Sequence, residues 1–179
     1  DSLSDFAGVQ GMHGWRYGYW NKGTDADGSY AVGDFISTLS YNASQNKWRA
    51  SDAVLVEINS YGGRPAGFTT AYAPVRRYIA EYSGHVRVDG TLADLNPAGD
   101  GVVATIYHNG TPAFSTPLNA NEQNYSVDLV VATGDLLDFL IDPGTSNDDS
   151  GDETRFTARV RSLAGPREVP PAFVNDIGL

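Results

Sequence analysis

Three carboxylic acids in the sequence are candidates for glycoside hydrolysis, a reaction that needs two carboxyl groups about 5 to 9 Å apart. They are Glu57, within the apolar segment VLVEIN, Glu81 and Asp138. Two-residue alternation places Glu57 and Leu55 on the face opposite the other apolar residues of that segment, which favours a solvated or ion-paired carboxylate. No pattern in the sequence pairs two of these acids, so catalysis by them is the less favoured interpretation.

Other catalytic patterns are missing from the sequence. There is no G-x-S-x-G turn for a serine nucleophile. The three histidines, His13, His85 and His108, are far apart and lack the H-E-x-x-H or H-x-H spacing of a metal site. The chain has no cysteine, which excludes disulfides, thiolate ligands and cysteine nucleophiles. These absences favour a binding or structural role.

Acidic loops raise the possibility of a cation site. Calcium takes six to eight oxygen ligands, and short carboxylate and amide side chains on a turning loop can supply them. The segment 142–152 predicts a structural Ca²⁺ held by Asp142, Asn147, Asp149 and Asp152. A second acidic loop, 25–28, lacks the flanking pattern of an EF-hand. Turn formation without any metal explains the 142–152 loop equally well and is the favoured explanation for 25–28, because Asp, Asn and Gly are favoured in turns.

Aromatic side chains near polar segments are suited to binding carbohydrate, since a sugar ring has an apolar face and a polar rim. Tyr and Trp are rigid and amphipathic, so ordering them costs little entropy. We predict a carbohydrate-binding set composed of Trp20, Trp48, Tyr61, Tyr72 and Arg64. Taken singly, each aromatic ring could instead fill the core, and each arginine, including Arg76 and Arg77, could pair with an acidic residue.

In the segment GWRYGYW, alternate aromatic residues are predicted to lie on opposite faces of a strand. Extended geometry puts Trp15, Tyr17 and Tyr19 on one face and Trp20 on the other. Three aromatic rings on one face predict a core position, so we expect Trp15 to be buried. Trp20 precedes the polar segment NKGTDADG and is predicted to present its ring to a ligand.

Two-residue alternation of apolar and polar residues dominates the rest of the chain. It is typical of half-buried antiparallel strands, and it occurs in GHVRVDGTL, YSVDLVV, DLLDFLID and TRFTARVRS, with VLVEIN and GVVATIYHNG as further strands. Asn109-Gly110 is a hairpin-turn signal. No helical periodicity persists, and 20 Gly and 9 Pro interrupt most candidate helices. We predict an all-β fold: an antiparallel two-sheet β-sandwich of jelly-roll type.

Length and charge limit the organisation and the partners. With 179 residues, the chain fits one β-sandwich domain over 1–164 and a Pro-rich tail or linker over 165–179. The net charge of −10 disfavours nucleic acid and anionic membranes as partners. No apolar run approaches the roughly 20 residues that span a bilayer. No signal peptide is visible at Asp1, as expected of a mature secreted chain.

Several segments together resemble a β-sandwich carbohydrate-binding-like module of bacterial extracellular polysaccharide-degrading enzymes. They are DFAGVQGMHGWRYGYW (5–20), APVRRYIAEYSGHVRVDGTL (73–92), GDGVVATIYHNG (99–110), VATGDLLDFLIDPGTSNDDSGDET (131–154) and FTARV (156–160). The sequence departs from the expected pattern at Tyr78, where Trp is expected, and at Pro74, where a small apolar residue is expected. The resemblance implies a secreted module that is covalently linked to a catalytic domain and binds a polysaccharide or oligosaccharide.

Three functions are therefore compatible with the sequence. The favoured one is a non-catalytic carbohydrate-binding module. The second is a jelly-roll polysaccharide lyase or glycoside hydrolase, although the R-x-E-x-R and Q-I-H signatures of alginate lyases are absent. The third is a structural or adhesion module without glycan binding. Release of products from a polysaccharide identifies the second, and failure to bind a broad glycan array identifies the third.

Overall fold

The computed structural model describes residues 1–51, 55–67, 70–96, 98–144 and 149–163. These residues form two short 3₁₀ turns, Met12–Gly14 and Val32–Asp34, and no α-helix. No helix in these ranges is long and apolar enough to cross a membrane. The strands are β1 (Trp15–Asn21), β2 (Ser40–Asn42), β3 (Lys47–Arg49), β4 (Glu57–Ile58), β5 (Gly62–Arg64), β6 (Tyr72–Ile79), β7 (Gly84–Asp94), β8 (Val102–His108), β9 (Thr111–Leu118), β10 (Glu122–Val131), β11 (Leu136–Asp142), β12 (Thr154–Phe156) and β13 (Arg159–Ser162).

The strands form two antiparallel sheets, which confirms the predicted all-β sandwich. The five-stranded sheet has the order β1-β6-β11-β8-β9, and the eight-stranded sheet has the order β10-β7-β12-β5-β4-β3-β2, with β13 also paired to β7. From β5 to β12 the chain crosses repeatedly between the two sheets, as a jelly roll does. Asn109 and Gly110 form the tight turn between β8 and β9, with φ of 50° and 81°. The predicted tail, 165–179, lies outside the described residues.

The core lies between the sheets, and strand parity selects its members. Trp15 and Tyr17 of β1 are each 1% exposed, so the predicted burial of Trp15 is confirmed. Leu137, Phe139 and Ile141 of β11 pack with them against the eight-stranded sheet. The alternating segments were thus correctly predicted to supply one apolar face each.

One predicted strand is interrupted. TRFTARVRS forms β12 and β13 with a break at Thr157 and Ala158. Gly90 permits the break, because a side chain there would collide with the Thr157 backbone. Ser2 then bonds both backbone groups of Ala158: its N–H donates to the Ala158 carbonyl at 2.8 Å, and its Oγ accepts from the Ala158 N–H at 2.8 Å.

A buried ion pair fastens the segment after β1 over the outer face of the five-stranded sheet. Arg77 Nε and Nη2 donate to the two oxygens of Asp138 at 2.7 and 2.8 Å. The Tyr30 hydroxyl donates to Asp138 Oδ2 at 2.8 Å, and Arg77 Nη2 also donates to the Val32 carbonyl at 3.0 Å. The ring of Phe35 lies 4.2 Å from the guanidinium carbon. The segment after β1 therefore covers part of this outer face.

The pair predicts a large loss of stability when one partner is neutralised. We expect Asp138→Asn to lower the free energy of unfolding in urea by about 3 to 5 kcal/mol, because Arg77 is left buried without a counter-ion. Asp128→Asn is the matched control, since Asp128 makes the same two-pronged contact with Arg87 at 2.6 and 2.7 Å, but in solvent. The control should lose far less. Equal losses in the two variants would contradict the assigned role.

Asp135 joins two turns of the sandwich. Its carboxylate accepts the Ala132 N–H at 2.8 Å, Asn109 Nδ2 at 3.0 Å and a contact from His108 Nε2 at 2.8 Å. These hydrogen bonds, led by the one from Ala132, lower the pKa of Asp135 to about 2. The charged form of Asp135 therefore stabilises the native state.

This depressed pKa predicts a pH-dependent contribution to stability. Because the native pKa lies below the unfolded value of about 3.9, the stabilisation is complete above that value and is lost as the pH falls toward about 2. Wild-type protein should exceed Asp135→Asn in free energy of unfolding at neutral pH, and the difference should shrink between about pH 4 and 2. Urea titrations at a series of pH values test this. A difference that stays constant would rule out the charged hydrogen bonds as its cause.

Candidate functional site

The part of the outer face of the five-stranded sheet that the segment after β1 leaves uncovered forms an open groove of about 590 Å³. Strands β11, β8 and β9 provide its floor, since residues of one parity in these strands point away from the core. The segments just after β1 and just before β6 provide a wall. The described residues that line it are Lys22, Gly23, Thr70, Ala71, Val103, Thr105, Tyr107, Ser115, Leu140, Asp142 and Gly144.

The wall is held by short contacts between distant parts of the chain. The Lys22 N–H donates to the Ala71 carbonyl at 3.0 Å, and Gly23 lies against Thr70 so closely that any side chain at position 23 would collide with it. Lys22 Nζ donates to Asp142 Oδ1 at 2.9 Å, and the same oxygen accepts the Gly144 N–H at 2.8 Å. A fixed cation and a fixed carboxylate therefore stand side by side at the groove.

The floor combines apolar surface with hydroxyl groups. Val103 and Tyr107 are half-buried apolar side chains above the buried Leu140, and the hydroxyls of Thr105 and Ser115 are 3.0 Å apart. The Tyr107 ring packs on Tyr30 at 4.9 Å, where the covering segment ends. Burial raises the pKa of Tyr107, and the charge of Asp142 raises it further, so the phenol is protonated at neutral pH. The groove thus offers neutral hydroxyls, one ion pair and an aromatic edge.

The expected exposure of Trp20 and Trp48 is wrong. Trp20 is 4% exposed; its Nε1 donates to Asp25 at 3.0 Å and its ring packs on Tyr30. Parity placed Trp20 on the outer face correctly, but the covering segment buries that face. Trp48 is 5% exposed and stacks on Tyr17 at 5.3 Å, with Nε1 donating to the Ala7 carbonyl. Both rings are structural, and removing Trp48 would perturb the core.

The other three predicted carbohydrate-binding residues are not among the described residues that line the groove. The Tyr61 hydroxyl donates to Glu153 Oε1 at 2.7 Å, and burial with this hydrogen bond raises the Tyr61 pKa. Tyr72 is half-buried and meets Tyr19 edge-on at 5.9 Å. Arg64 Nη2 lies 3.5 Å from the Asp149 carbonyl. None of the five predicted residues is among the described residues of the groove, and their role in binding stays a prediction.

Two of the three candidate catalytic acids, Glu57 and Asp138, are engaged in ion pairs. Glu57 accepts Lys47 at 2.7 Å and contacts Arg49 at 2.8 Å, which matches the ion-paired alternative. Asp138 is buried against Arg77, and Glu81 is exposed. Asp142 is the one carboxylate among the described groove residues. Glycoside hydrolysis needs two such acids, and the described lining of the groove contains one.

Neither arginine of the Arg76-Arg77 pair is open to a ligand. Arg77 is committed to Asp138. Arg76 lies inside the sandwich at 3% exposure, with Nη1 donating to the Ser60 carbonyl at 3.2 Å. Burial lowers its pKa to about 10. Arg77 has the acidic partner that the sequence interpretation allowed, and both side chains lie inside the protein.

The calcium prediction stays untested. In the described ranges no group of three or more His, Cys, Asp or Glu side chains could hold a metal ion, so Asp142, Asp149 and Asp152 form no such group. Asp142 is engaged by Lys22 and Gly144, while Asp152 is buried at 1% exposure. Asn147 lies outside the described residues.

The sequence interpretation missed the floor of the groove. Val103, Thr105 and Tyr107 alternate within GVVATIYHNG, which was predicted only as a strand. The face that these three residues share was not recognised as a binding surface. Strand register, which a single-strand pattern does not show, is what brings Ser115 and Asp142 beside it. The Thr105 residue faces Ser115 in β9 and Leu140 in β11.

No protein-family model matches the chain, and the comparison with curated proteins finds no match. Among solved structures, the chain is similar to the CBM51-2 and INT domains of ZmpB from Clostridium perfringens, in complex with GlcNAc, at 14% identity and a TM-score of 0.40, covering 87% of this chain and 29% of that one. It is also similar to the tandem CBM51 modules of a family 98 glycoside hydrolase from Streptococcus pneumoniae, at 11% identity and a TM-score of 0.40, covering 76% of this chain and 48% of that one. A β-glucosidase from Kluyveromyces marxianus matches at 7% identity and a TM-score of 0.38, covering 92% of this chain and 19% of that one.

The chain thus spans less than half of each of these matched chains. The β-sandwich that the sequence resemblance implied is shown by the sheets themselves.

The burial of all three tryptophans gives a direct test of the corrected assignment. Trp15, Trp20 and Trp48 are 1%, 4% and 5% exposed. We expect blue-shifted fluorescence and poor quenching by acrylamide in the native protein, and a red shift with strong quenching after unfolding in urea. A native component that is quenched as efficiently as the unfolded chain would show that one ring is open to solvent.

Proposed function

We propose that the protein is a non-catalytic carbohydrate-binding module and that the groove over β11, β8 and β9 is its glycan-binding site. The observation that carries the proposal is the mixed surface of this groove. Val103 and Tyr107 supply partly exposed apolar area, while Lys22, Asp142 and Ser115 supply fixed donors and acceptors. A sugar ring presents the complementary combination of an apolar face and a polar rim.

The dimensions and rigidity of the groove support this proposal. Its volume of about 590 Å³ falls in the usual range for ligand sites. Its polar groups are held in place by one another before any ligand arrives, as the Lys22–Asp142 and Thr105–Ser115 contacts show. Such preorganisation lowers the entropic cost of binding.

Binding without catalysis is favoured by the single carboxylate. Acid–base cleavage of a glycosidic bond requires two carboxyl groups in one cleft. The described groove residues provide Asp142 alone, and its oxygen is occupied by Lys22 and Gly144. We also propose that the module is secreted and covalently joined to a polysaccharide-active catalytic domain, as the sequence resemblance implies.

Filling the groove should abolish binding, and a matched pair of variants tests this. We expect Ser115→Leu to weaken retention in polysaccharide affinity electrophoresis at least about tenfold, because it removes a hydroxyl and adds branched bulk to the floor. Ser126→Leu is the control: both serines are exposed and lie on edge strands, β9 and β10, but Ser126 is on the other sheet. Its retention should equal that of wild type.

The same polysaccharide panel distinguishes binding from cleavage. Wild-type protein should be retained by at least one polymer without releasing reducing ends or unsaturated products. Product release by purified wild type would replace the proposal with the enzyme alternative. Loss of retention in both serine variants, or in neither, would place binding outside the groove. No retention by any polymer would favour a structural module.

A further inference from the structure

The described lining of the groove is neutral although the chain is strongly acidic. Lys22 and Asp142 are the only charged residues among its described lining, and they contribute one charge of each sign. The raised pKa of Tyr107 keeps that phenol uncharged at neutral pH. The net charge of the whole chain is −10.

The two charges are fixed to each other. Lys22 Nζ lies 2.9 Å from Asp142 Oδ1, and the side chains are 22% and 19% exposed. The Gly144 N–H holds Asp142 Oδ1 from the other side at 2.8 Å. Lys22 Nζ also lies 5.6 Å from the centre of the Trp20 ring, which restricts the ammonium group further. Partial burial limits the screening of this pair by salt.

This arrangement treats neutral and anionic ligands differently. A sugar hydroxyl can donate to Asp142 or accept from Lys22 without disturbing the charge balance. A ligand carboxylate or sulfate that approaches Lys22 meets Asp142 beside it, and like charges brought together oppose binding. The acidity of the rest of the chain adds to this repulsion.

We propose that the groove takes neutral glycan chains and that Asp142 is the specificity-determining residue that excludes anionic ones. This inference rests on the proposed function. Asp142 acts as the repulsive element against uronate-containing or sulfated polymers, and Lys22 is the group that such polymers would otherwise bind.

The test measures retention on polymer pairs that differ in charge: dextran and carboxymethyl dextran, hydroxyethyl cellulose and carboxymethyl cellulose, and methyl-esterified and de-esterified pectin. We expect wild type to bind at least one neutral member at least about tenfold more tightly than its charged partner. Asp142→Asn should reduce that ratio at least about tenfold, mainly by gaining affinity for the anionic polymer. Added salt should diminish the gain, because it comes from the unmasked Lys22.

Two further variants distinguish an effect of the position of Asp142 from an effect of the net charge of the protein. Asp128→Asn removes the same single charge and also uncouples an arginine, Arg87, but on the other sheet, so it should leave the ratio unchanged. Lys22→Met should keep the preference for neutral polymers, because Asp142 remains. If Asp142→Asn proves unstable by thermal melting, Asp142→Ser replaces it.

The outcomes separate this inference from the proposed function. Tighter binding of the anionic member by wild type, or an unchanged ratio in Asp142→Asn, overturns the role of Asp142 while leaving a glycan-binding groove. An equal effect of Asp128→Asn also overturns it, since net charge would then be the cause. Failure of wild type to bind any member of the three pairs overturns both.

Discussion

The buried contact between Arg77 and Asp138 is the constraint on which the architecture of this face depends. Two charges taken out of water are tolerated only when they are paired and their remaining donors and acceptors are satisfied. Asp138 accepts from Arg77 and Tyr30, and Arg77 also reaches the Val32 carbonyl, so the covering segment has to lie over the sheet. The cover ends where Tyr30 meets Tyr107, and the open groove begins there.

The groove is built from long-range contacts that also hold the fold. Lys22 and Asp142 are 120 residues apart in sequence, and their ion pair joins the end of β1 to the end of β11. The floor residues come from neighbouring strands whose order in the sheet, β11-β8-β9, is not their order in the chain. Formation of the site therefore requires the complete five-stranded sheet, which keeps its polar groups rigid.

Strand parity explains which features of the fold could be predicted from the sequence and which could not. Alternation is local, so the burial of Trp15 and the strands β7, β10 and β11 followed from it. Parity also placed Trp20 on the face opposite Trp15. Whether that face is exposed to solvent depends on the segment that Arg77 and Asp138 hold over it. The break at Thr157 depends in the same way on Gly90 and on Ser2, which are remote in sequence. Strand register, and the covering of one face by another segment, are tertiary properties. The pattern of residues within one strand does not determine them.

Ion pairs of similar geometry have different consequences in this molecule because their burial differs. Asp128 lies 2.6 Å from Arg87 on the solvated face of the eight-stranded sheet, where the two side chains are 53% and 40% exposed and water competes with the contact. Asp138 makes contacts of similar length inside the protein, where the loss of one partner leaves an uncompensated charge. Lys22 and Asp142 lie between these limits: they are buried enough to be fixed, yet open enough to meet a ligand. In the proposed function, it is partial burial together with a position in the groove that lets this pair select ligands.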